Sequence, residues 1–269
     1  MTISSGIVRG SIDTTYSVEL SGMKILAFLL SLCFLAQPSF ADTVKIMTEE
    51  FAPYQYYEGE GDNRKITGIS YEIVQALMDK VGTKEEIKVL PWSRALKILA
   101  KNKNAALFST ARTPAREDKY KWVGPLSKLE MVFFKKAGSN IKLDSMDDAR
   151  KLSKIGVTKN VATHEILTNQ GFTNLDVMQS GSDDKNLKRL LKGRVDVWPT
   201  VYYAGVYSAK NMGVLDDVEA IPGVPIMSGF LYIAFNKSTD DRIIHNWQIA
   251  LDELKSEGVV DAIHKKYDR

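Results

Sequence analysis

The stretch that decides the fold is residues 91–125, PWSRALKILAKNKNAALFSTARTPAREDKYKWVGP. Apolar residues recur at helical spacing in 93–103, and the run 105–110 is short, apolar and typical of a buried strand. The step Thr113-Pro114 has the sequence of a helix start, a hydroxyl cap followed by a proline. A helix, a buried strand and a second helix start in this order indicate an α/β protein with a parallel sheet.

Two arginines, Arg112 and Arg116, lie on either side of the Thr-Pro step. A cation is the wrong charge for a helix N-terminus, whose dipole favours anions. One explanation is that the arginines pair at the surface with Glu117 or Asp118. The other is that a guanidinium and the helix N–H groups together bind an incoming anion. The stretch by itself favours the surface pairing.

Strand–helix alternation continues on both sides of this stretch. The N-terminal side predicts strands at 43–48 and 86–92 and a helix at 69–82 that Gly82 ends. After a strand at 128–136, a second α/β unit is predicted, with strands 154–160 and 175–179 and one from residue 195, and helices 161–171 and 183–192. A strand at 228–237, a helix at 240–258 and a short last helix complete the prediction.

Composition excludes several classes of protein. Hydrophobic residues make up 44% and charged residues 26% of the 269 residues, which is ordinary for a soluble globular protein. The net charge is +3, and no basic run suggests nucleic acid binding. The three histidines, His164, His245 and His264, have no metal-type spacing, so neither a metal site nor a cofactor is expected.

The N-terminus reads as a secretory signal peptide. Lys24 precedes an apolar run at 25–36 that is too short to anchor in a bilayer, and Ser39-Phe40-Ala41 resembles a cleavage site. We expect cleavage after Ala41. Signal peptides begin close to their basic residue, and residues 1–22 would make the segment before Lys24 unusually long. Met23 rather than Met1 is therefore a candidate start.

The single cysteine, Cys33, lies within the predicted signal peptide. Leu32 precedes it, whereas a lipidation site requires a small residue there, so no lipid anchor is expected. A mature chain starting at Asp42 has no disulfide, thiol nucleophile or thiolate metal ligand.

The order of elements resembles the extracellular solute-binding proteins of family 3, which feed ABC importers. The resemblance rests on EEFAPYQYYEGEGDNRKITGISYEIVQALMDKVG (49–82), on the stretch 91–125, on LLKGRVDVW (190–198) and on NWQIALDELKSEGVVDAIHKKY (246–267). It implies an α/β fold, the two-lobe type II periplasmic-binding-protein fold, with the ligand in a cleft between the lobes.

The resemblance also implies the lobe boundaries. Lobe one would comprise 42–131 and 230–269, and lobe two would comprise 132–229. Two crossing strands would act as the hinge, with crossings near Met131-Val132 and Gly229-Phe230.

Ligand-binding residues follow from the resemblance position by position. Phe51 and Trp92 would sandwich the body of the ligand, and Arg116 would bind its carboxylate. Ser109 would share that carboxylate. The alternatives are ordinary core packing for the two aromatic residues and a bond to its own backbone for Ser109.

In lobe two, the turn at Val161, Ala162 and Thr163 would bind the same carboxylate from the other side. Val161 and Ala162 offer backbone N–H groups, and Thr163 also offers a hydroxyl. A plain helix cap is the alternative role for Thr163.

One position departs from the family pattern. The aspartate that usually holds an α-amino group corresponds to Val201, beside Thr200, which remains a candidate ligand-binding residue. A ligand ammonium without a carboxylate partner would be costly in a closed cleft. Either Glu49 or Glu50 substitutes for the aspartate, or the ligand is not an α-amino acid.

Arg94 and Arg112 are two further candidate ligand-binding cations, with surface pairing as their alternative role. If both faced the cleft, a dicarboxylate or another anionic solute would be favoured.

The resemblance therefore predicts a monomeric periplasmic protein that passes a small carboxylate-bearing solute, such as a polar amino acid, to an ABC permease in the inner membrane. It predicts no enzymatic activity. One alternative is an enzyme on the same fold, similar to the cyclohexadienyl dehydratases, with His164 or Glu49 as acid or base. The other is a soluble sensory module.

Overall fold

The computed structural model describes residues 1, 2, 6, 43–179 and 183–267. Apart from residues 1, 2 and 6, the predicted signal peptide lies outside the described residues, as do its cleavage site, Cys33 and Met23. The described part of the chain contains eleven strands and eight α-helices, in the following order: β1 Lys45–Thr48, β2 Tyr56–Glu58, β3 Lys65–Thr67, α1 Ile69–Val81, β4 Lys88–Val89, α2 Trp92–Lys101, β5 Ala105–Ala111, β6 Tyr120–Lys136, α3 Met146–Lys151, β7 Ile155–Thr158, α4 Ala162–Asn169, β8 Leu175–Met178, α5 Asp183–Leu191, β9 Val197–Val201, α6 Tyr202–Asn211, β10 Val218–Ala220, β11 Met227–Asn236, α7 Asp241–Ser256 and α8 Val259–Tyr267.

Nine of these strands form one mixed sheet in the order β4-β1-β5-β11-β6-β9-β7-β8, with β10 also paired to β6. The sections β4-β1-β5 and β9-β7-β8 are parallel, as the strand–helix alternation predicts. The strands between them, β11 and β6, pair antiparallel with each other and with their outer neighbours. A purely parallel sheet is therefore the wrong prediction, because two long strands connect the two parallel sections.

The two connecting strands link the two parallel sections, since β11 pairs with β5 of the first section and β6 pairs with β9 of the second. Strand β6 pairs with β11 from Tyr120 to Met131 and with β9 from Met131 to Lys135. The lobe boundaries at 131/132 and 229/230 stay a prediction. Strands β2 and β3 form a separate antiparallel hairpin.

The β5–β6 connection differs from the predicted helix. Residues 114–116 form a turn and Glu117–Lys119 a single 3-10 turn, and β6 begins at Tyr120. The predicted helix start at Thr113-Pro114 is wrong, because residues 120–123 pair with β11 and leave too few residues for a helix. Strand pairing overrides the local signal.

Apolar side chains cover both faces of the first section of the sheet. Ile46 belongs to a cluster with Leu77 and Trp247, while the next residue, Met47, packs with Trp92 and Leu99. Successive side chains of a strand point to opposite faces, so the two clusters lie on opposite sides of β1. The predicted end of α1 is confirmed, since Gly82 follows the helix with φ 76°, in the left-handed conformation.

Within the part of the chain that the structure describes, no helix is both long enough and apolar enough to cross a membrane.

Candidate ligand cleft

A cavity of about 400 Å³ lies where strands of both parallel sections end. Its lining includes Glu49 just after β1, Ala111 at the end of β5, Thr158 at the end of β7 and Thr200 near the end of β9. In open α/β sheets, ligands bind outside the carboxyl ends of the strands. The volume is within the usual range for small-molecule sites.

Aromatic side chains form part of the cavity wall. Trp92 and Phe51 both line it. The Trp92 Nε1–H group donates to the Asn160 carbonyl oxygen at 2.7 Å, and the Phe51 ring stacks on Tyr54 with 5.1 Å between centroids. Both rings also pack against core residues, so core packing and a place in the cavity wall coexist, and the sandwich of a ligand between them stays a prediction.

Of the described residues that line the cavity, Arg116 is the one lysine or arginine, and its side chain is only 3% exposed. Its Nε–H donates to Glu165 Oε2 at 2.7 Å, Nη2 donates to the Asn160 carbonyl at 3.2 Å, and Nη1 donates to the Ala111 carbonyl at 3.5 Å. The guanidinium carbon lies 5.5 Å from the centroid of the Trp92 ring. A guanidinium has five N–H donors, so these contacts leave two for another acceptor.

Ser109 also lines the cavity, in the left-handed conformation with φ 56°. Its hydroxyl donates to Gln55 Oε1 at 2.6 Å. The hydrogen bond therefore goes to a side chain from the loop after β1 and not to its own backbone, and Ser109 meets a ligand as an acceptor in this arrangement.

The first turn of α4 supplies the opposite wall. Val161, Ala162 and Thr163 all line the cavity, and Val161 is the cap residue of the helix. The first N–H groups of a helix have no partner within the helix, so those of Ala162 and Thr163 are suited to an anion.

Four carboxylates line the same cavity, those of Glu49, Glu50, Asp183 and Asp184. Thr200 donates to Asp183 Oδ2 at 3.1 Å, and Ser208 donates to Asp184. The sequence interpretation missed Asp183 and Asp184 because acidic residues at a helix start are expected on electrostatic grounds alone. Their position just after a parallel strand, β8, is the signal that could have identified them.

Burial controls the ionisation of two of these groups. It raises the pKa of Glu49 to about 8, with a further rise from the charge of Asp183, while Arg116 opposes both. It raises the pKa of Asp183 to about 6, against the hydrogen bond from Thr200. Both carboxylates are therefore held in surroundings that disfavour their charged forms.

Two of the expected cations do not reach this cavity. Arg94 lies on the exposed side of α2, two residues and more than half a helical turn from Trp92. Arg112 donates through Nε to Glu117 Oε2 at 2.7 Å and lies over the Tyr232 ring at 5.3 Å. Arg112 thus forms the pair that the surface interpretation describes, because it follows Ala111 and points to the opposite face of the strand end.

A charge-removing substitution at Glu49 should stabilise the ligand-free protein. An acid whose pKa is raised on folding destabilises the folded state as pH increases from its ordinary value of 4.5 to about 8. We expect the difference in the free energy of unfolding between Glu49→Gln and the wild type to rise, in favour of the variant, by about 1–3 kcal/mol from pH 5 to pH 8.5. Urea unfolding at both pH values measures it, with Glu50→Gln as control. An equal effect of both variants, or no dependence on pH, would contradict the assignment.

The fold and the cleft together define a two-lobe periplasmic-binding-protein fold. Residues 44–268 match the family model of the bacterial extracellular solute-binding proteins, family 3, and the chain belongs to this family. The L-cystine-binding protein TcyJ of Escherichia coli strain K12 is 23% identical over 80% of this chain and 79% of its own length.

Solved structures share the fold. A histidine kinase sensor domain with similarity to periplasmic binding proteins superposes with a TM-score of 0.74 at 18% identity, covering 84% of this chain and 96% of that chain. The substrate-binding protein AbpA of an amino acid ABC transporter from Streptococcus pneumoniae, bound to L-arginine, has a TM-score of 0.70 at 15% identity, covering 83% and 93%.

Proposed function

We propose that this protein captures a small carboxylate-bearing solute, of the amino-acid class, and delivers it to the permease of an ABC importer. The observation that carries the proposal is the buried guanidinium of Arg116 in the cavity, beside Trp92 and near the first turn of α4. A cation and open backbone donors in one enclosed space favour an anionic group.

The surroundings of Arg116 are compatible with a carboxylate. One carboxylate oxygen, from Glu165, already lies 2.7 Å from Nε, and two N–H donors are not used by the described contacts. The solute carboxylate would use those donors together with the N–H groups of Ala162 and Thr163. Phe51 and Trp92 would pack on the body of the solute.

The relatives support the amino-acid class. TcyJ is named an L-cystine-binding protein, and AbpA is an amino acid transporter component bound to L-arginine. Both are binding proteins, which supports a transport role for this chain as well.

We propose binding without catalysis. Of the two acid–base candidates, Glu49 lines the cavity, whereas His164 is not among its lining residues. The His164 ring accepts a hydrogen bond from the Asn160 N–H at 3.2 Å, which fits a role in shaping the turn before α4. Turnover of a prephenate-like substrate would contradict this part of the proposal.

We also propose export through the signal peptide 1–41 and a monomeric, unlipidated periplasmic protein from Asp42. Its lobes, 42–131 with 230–269 and 132–229, would close on the solute by hinge motion.

A thermal-shift screen of residues 42–269 tests the proposal. The panel contains the L-amino acids, L-cystine, dicarboxylates, small peptides and carboxylate-free amines. A solute present at 100 times its Kd stabilises the folded state by about 2.7 kcal/mol, which raises Tm by about 5–10 °C. We expect a carboxylate-bearing solute to give such a shift and Arg116→Ala to lose it. Shifts from carboxylate-free compounds alone would contradict the proposal.

A further inference from the structure

Asn160, on the turn before α4, joins the two walls of the cavity. Its carbonyl oxygen accepts hydrogen bonds from Trp92 and Arg116, and its side-chain amide donates to the Ser93 hydroxyl at 3.3 Å. Trp92 and Arg116 line the cavity from the opposite side. The orientation of the Asn160 peptide group therefore decides how both side chains are placed.

The backbone of Asn160 needs support from its surroundings. It has the left-handed conformation, with φ 66°, which is uncommon for a residue other than glycine. Such a conformation persists where neighbouring contacts fix it. The Asn160 N–H group donates to Nδ1 of His164 at 3.2 Å, and among the described residues no other acceptor takes this N–H. His164 thus supports the turn from outside the cavity.

The hydrogen bond to His164 requires a neutral ring. Nδ1 accepts through its lone pair, so the single ring proton lies on Nε2. A second proton would go to Nδ1 and bring two N–H donors face to face. Burial lowers the pKa of His164 below its ordinary value of 6.5, while the charge of Glu165 opposes this and that of Lys159 adds to it. The turn and the neutral ring therefore favour each other.

Charged groups reach His164 from its own turn and from the opposite wall. Lys159 and Glu165 are close to it in sequence, and Arg116 forms an ion pair with Glu165 at 2.7 Å. The hydroxyl of Tyr120, on β6, lies close enough to Arg116 and Glu165 for both charges to act on it. A pH effect at this turn must therefore be assigned with a variant that removes only the titration of His164.

We infer that His164 is a positioning residue of the solute site, whose neutral ring holds Asn160 so that Asn160 places Trp92 and Arg116. The inference rests on the proposed function, because it concerns how the same cavity is kept ready for a solute. It makes the arrangement of the cavity depend on pH. Protonation of a ring outside the lining withdraws support from two side chains inside it.

The indole N–H resonance of Trp92 tests this arrangement without any solute. In nitrogen-15-labelled protein, with the resonance identified through Trp92→Phe, acidification from pH 7.5 to pH 4.5 should shift it with the same midpoint as the His164 ring. His164→Asn should abolish that shift, because an asparagine side-chain oxygen can accept the Asn160 N–H in place of Nδ1 and does not titrate. His245→Asn, at an exposed histidine of α7, is the matched control and should leave the shift unchanged.

Solute affinity should depend on the same proton. A ring whose pKa is lowered in the binding arrangement must lose its proton when the solute binds, so affinity falls as pH falls below 6.5. Glu49 and Asp183 add pH effects of their own, which His164→Asn retains. For the tightest binder among L-arginine, L-cystine and L-glutamate, the ratio of Kd at pH 5.5 to Kd at pH 7.5 should be about three- to tenfold larger in the wild type than in His164→Asn.

His164→Ala separates the hydrogen bond from the charge. It removes the acceptor at every pH, so at pH 7.5 the same amino acid should bind about fivefold more weakly than to the wild type. His164→Asn keeps an acceptor and should stay within about twofold of the wild type at this pH. Equal losses in the two variants at pH 7.5 would contradict the role of the hydrogen bond to Asn160.

The two measurements distinguish this inference from the proposed function. A Trp92 resonance that does not follow His164, or that shifts equally in His164→Asn, would overturn the inference, as would identical pH dependence of affinity in the wild type and His164→Asn. If His164→Asn did not fold, the midpoints of Trp92 and His164 in the wild type would decide. If none of the three amino acids bound, the result would count against the proposed function, and the Trp92 resonance would still decide the role of His164.

Discussion

Replacing Arg116 with alanine should nearly abolish solute binding while leaving the protein folded. The guanidinium is buried and is the only cation among the described lining residues, so its loss would leave the solute carboxylate in the cavity without a charged partner. Breaking a buried charge pair costs about 3–5 kcal/mol, which is about two to three and a half decades in Kd. Isothermal titration with the solute that gives the largest thermal shift measures the loss.

Arg112→Ala is the matched control. It removes the same group four residues earlier, from a side chain that pairs with Glu117 outside the cavity. A partly exposed pair contributes less than about 1 kcal/mol, so affinity should change by less than about fivefold. Near-native affinity in Arg116→Ala, with both variants folded, would mean that the carboxylate site lies elsewhere in the cleft.

Gly68→Ala should cause a large loss of stability. Gly68 precedes α1 with φ 120°, and an added Cβ would lie 2.6 Å from the Tyr54 carbonyl oxygen and 2.8 Å from the Gln55 Cα. These atoms belong to the backbone and cannot rotate away. Conformational strain and overpacking together predict a loss of about 2–6 kcal/mol in the free energy of unfolding, measured by urea titration.

Gly82→Ala separates the two causes. Gly82 lies at the other end of α1 with φ 76°, and an added Cβ there would meet no atom within 4 Å. Only the left-handed conformation opposes the substitution, at a cost of about 1–2 kcal/mol. If the two variants lost equal stability, the contact with the loop at 54–55 would be unimportant.

The helices and strands that were predictable are those with a clear local pattern of apolar residues in the sequence. The apolar stripe of α1 and its glycine stop, the helix α7 and the buried strand β5 follow from local patterns that tertiary structure reinforces. The first half of β6 was not predicted. Its residues, including Gly124 and Pro125, lack a strand pattern, and their conformation depends on pairing with β11, more than 100 residues later in the chain.

Three of the candidate site residues, Phe51, Trp92 and Arg116, were predicted from the family resemblance. The structure brings all three to one cavity, and their contact with a ligand stays a prediction. Whether Arg112 or Arg116 faces the cavity depends on the conformation of the connection between β5 and β6. The sequence predicts a helix there, whereas the structure has a turn at 114–116 followed by a 3-10 turn. Asp183 reaches the cavity because the second section of the sheet brings α5 beside β9, and in the sequence only its position after the strand β8 points to this.

The Asn160 carbonyl has a consequence for how long a solute stays bound. This oxygen, on the turn before α4, accepts hydrogen bonds from both Trp92 and Arg116, which lie on the β5 side of the cavity. The cavity cannot widen along this line without breaking both bonds. At about 1 kcal/mol for the indole bond and about 1.5–3 kcal/mol for the guanidinium bond, the two together would favour the closed over the open arrangement by between about 70-fold and a thousandfold. Residence time would then depend on the Asn160 carbonyl as well as on the ion pair between Arg116 and Glu165, and a transporter that pulled the start of α4 aside would break these contacts together and release the solute.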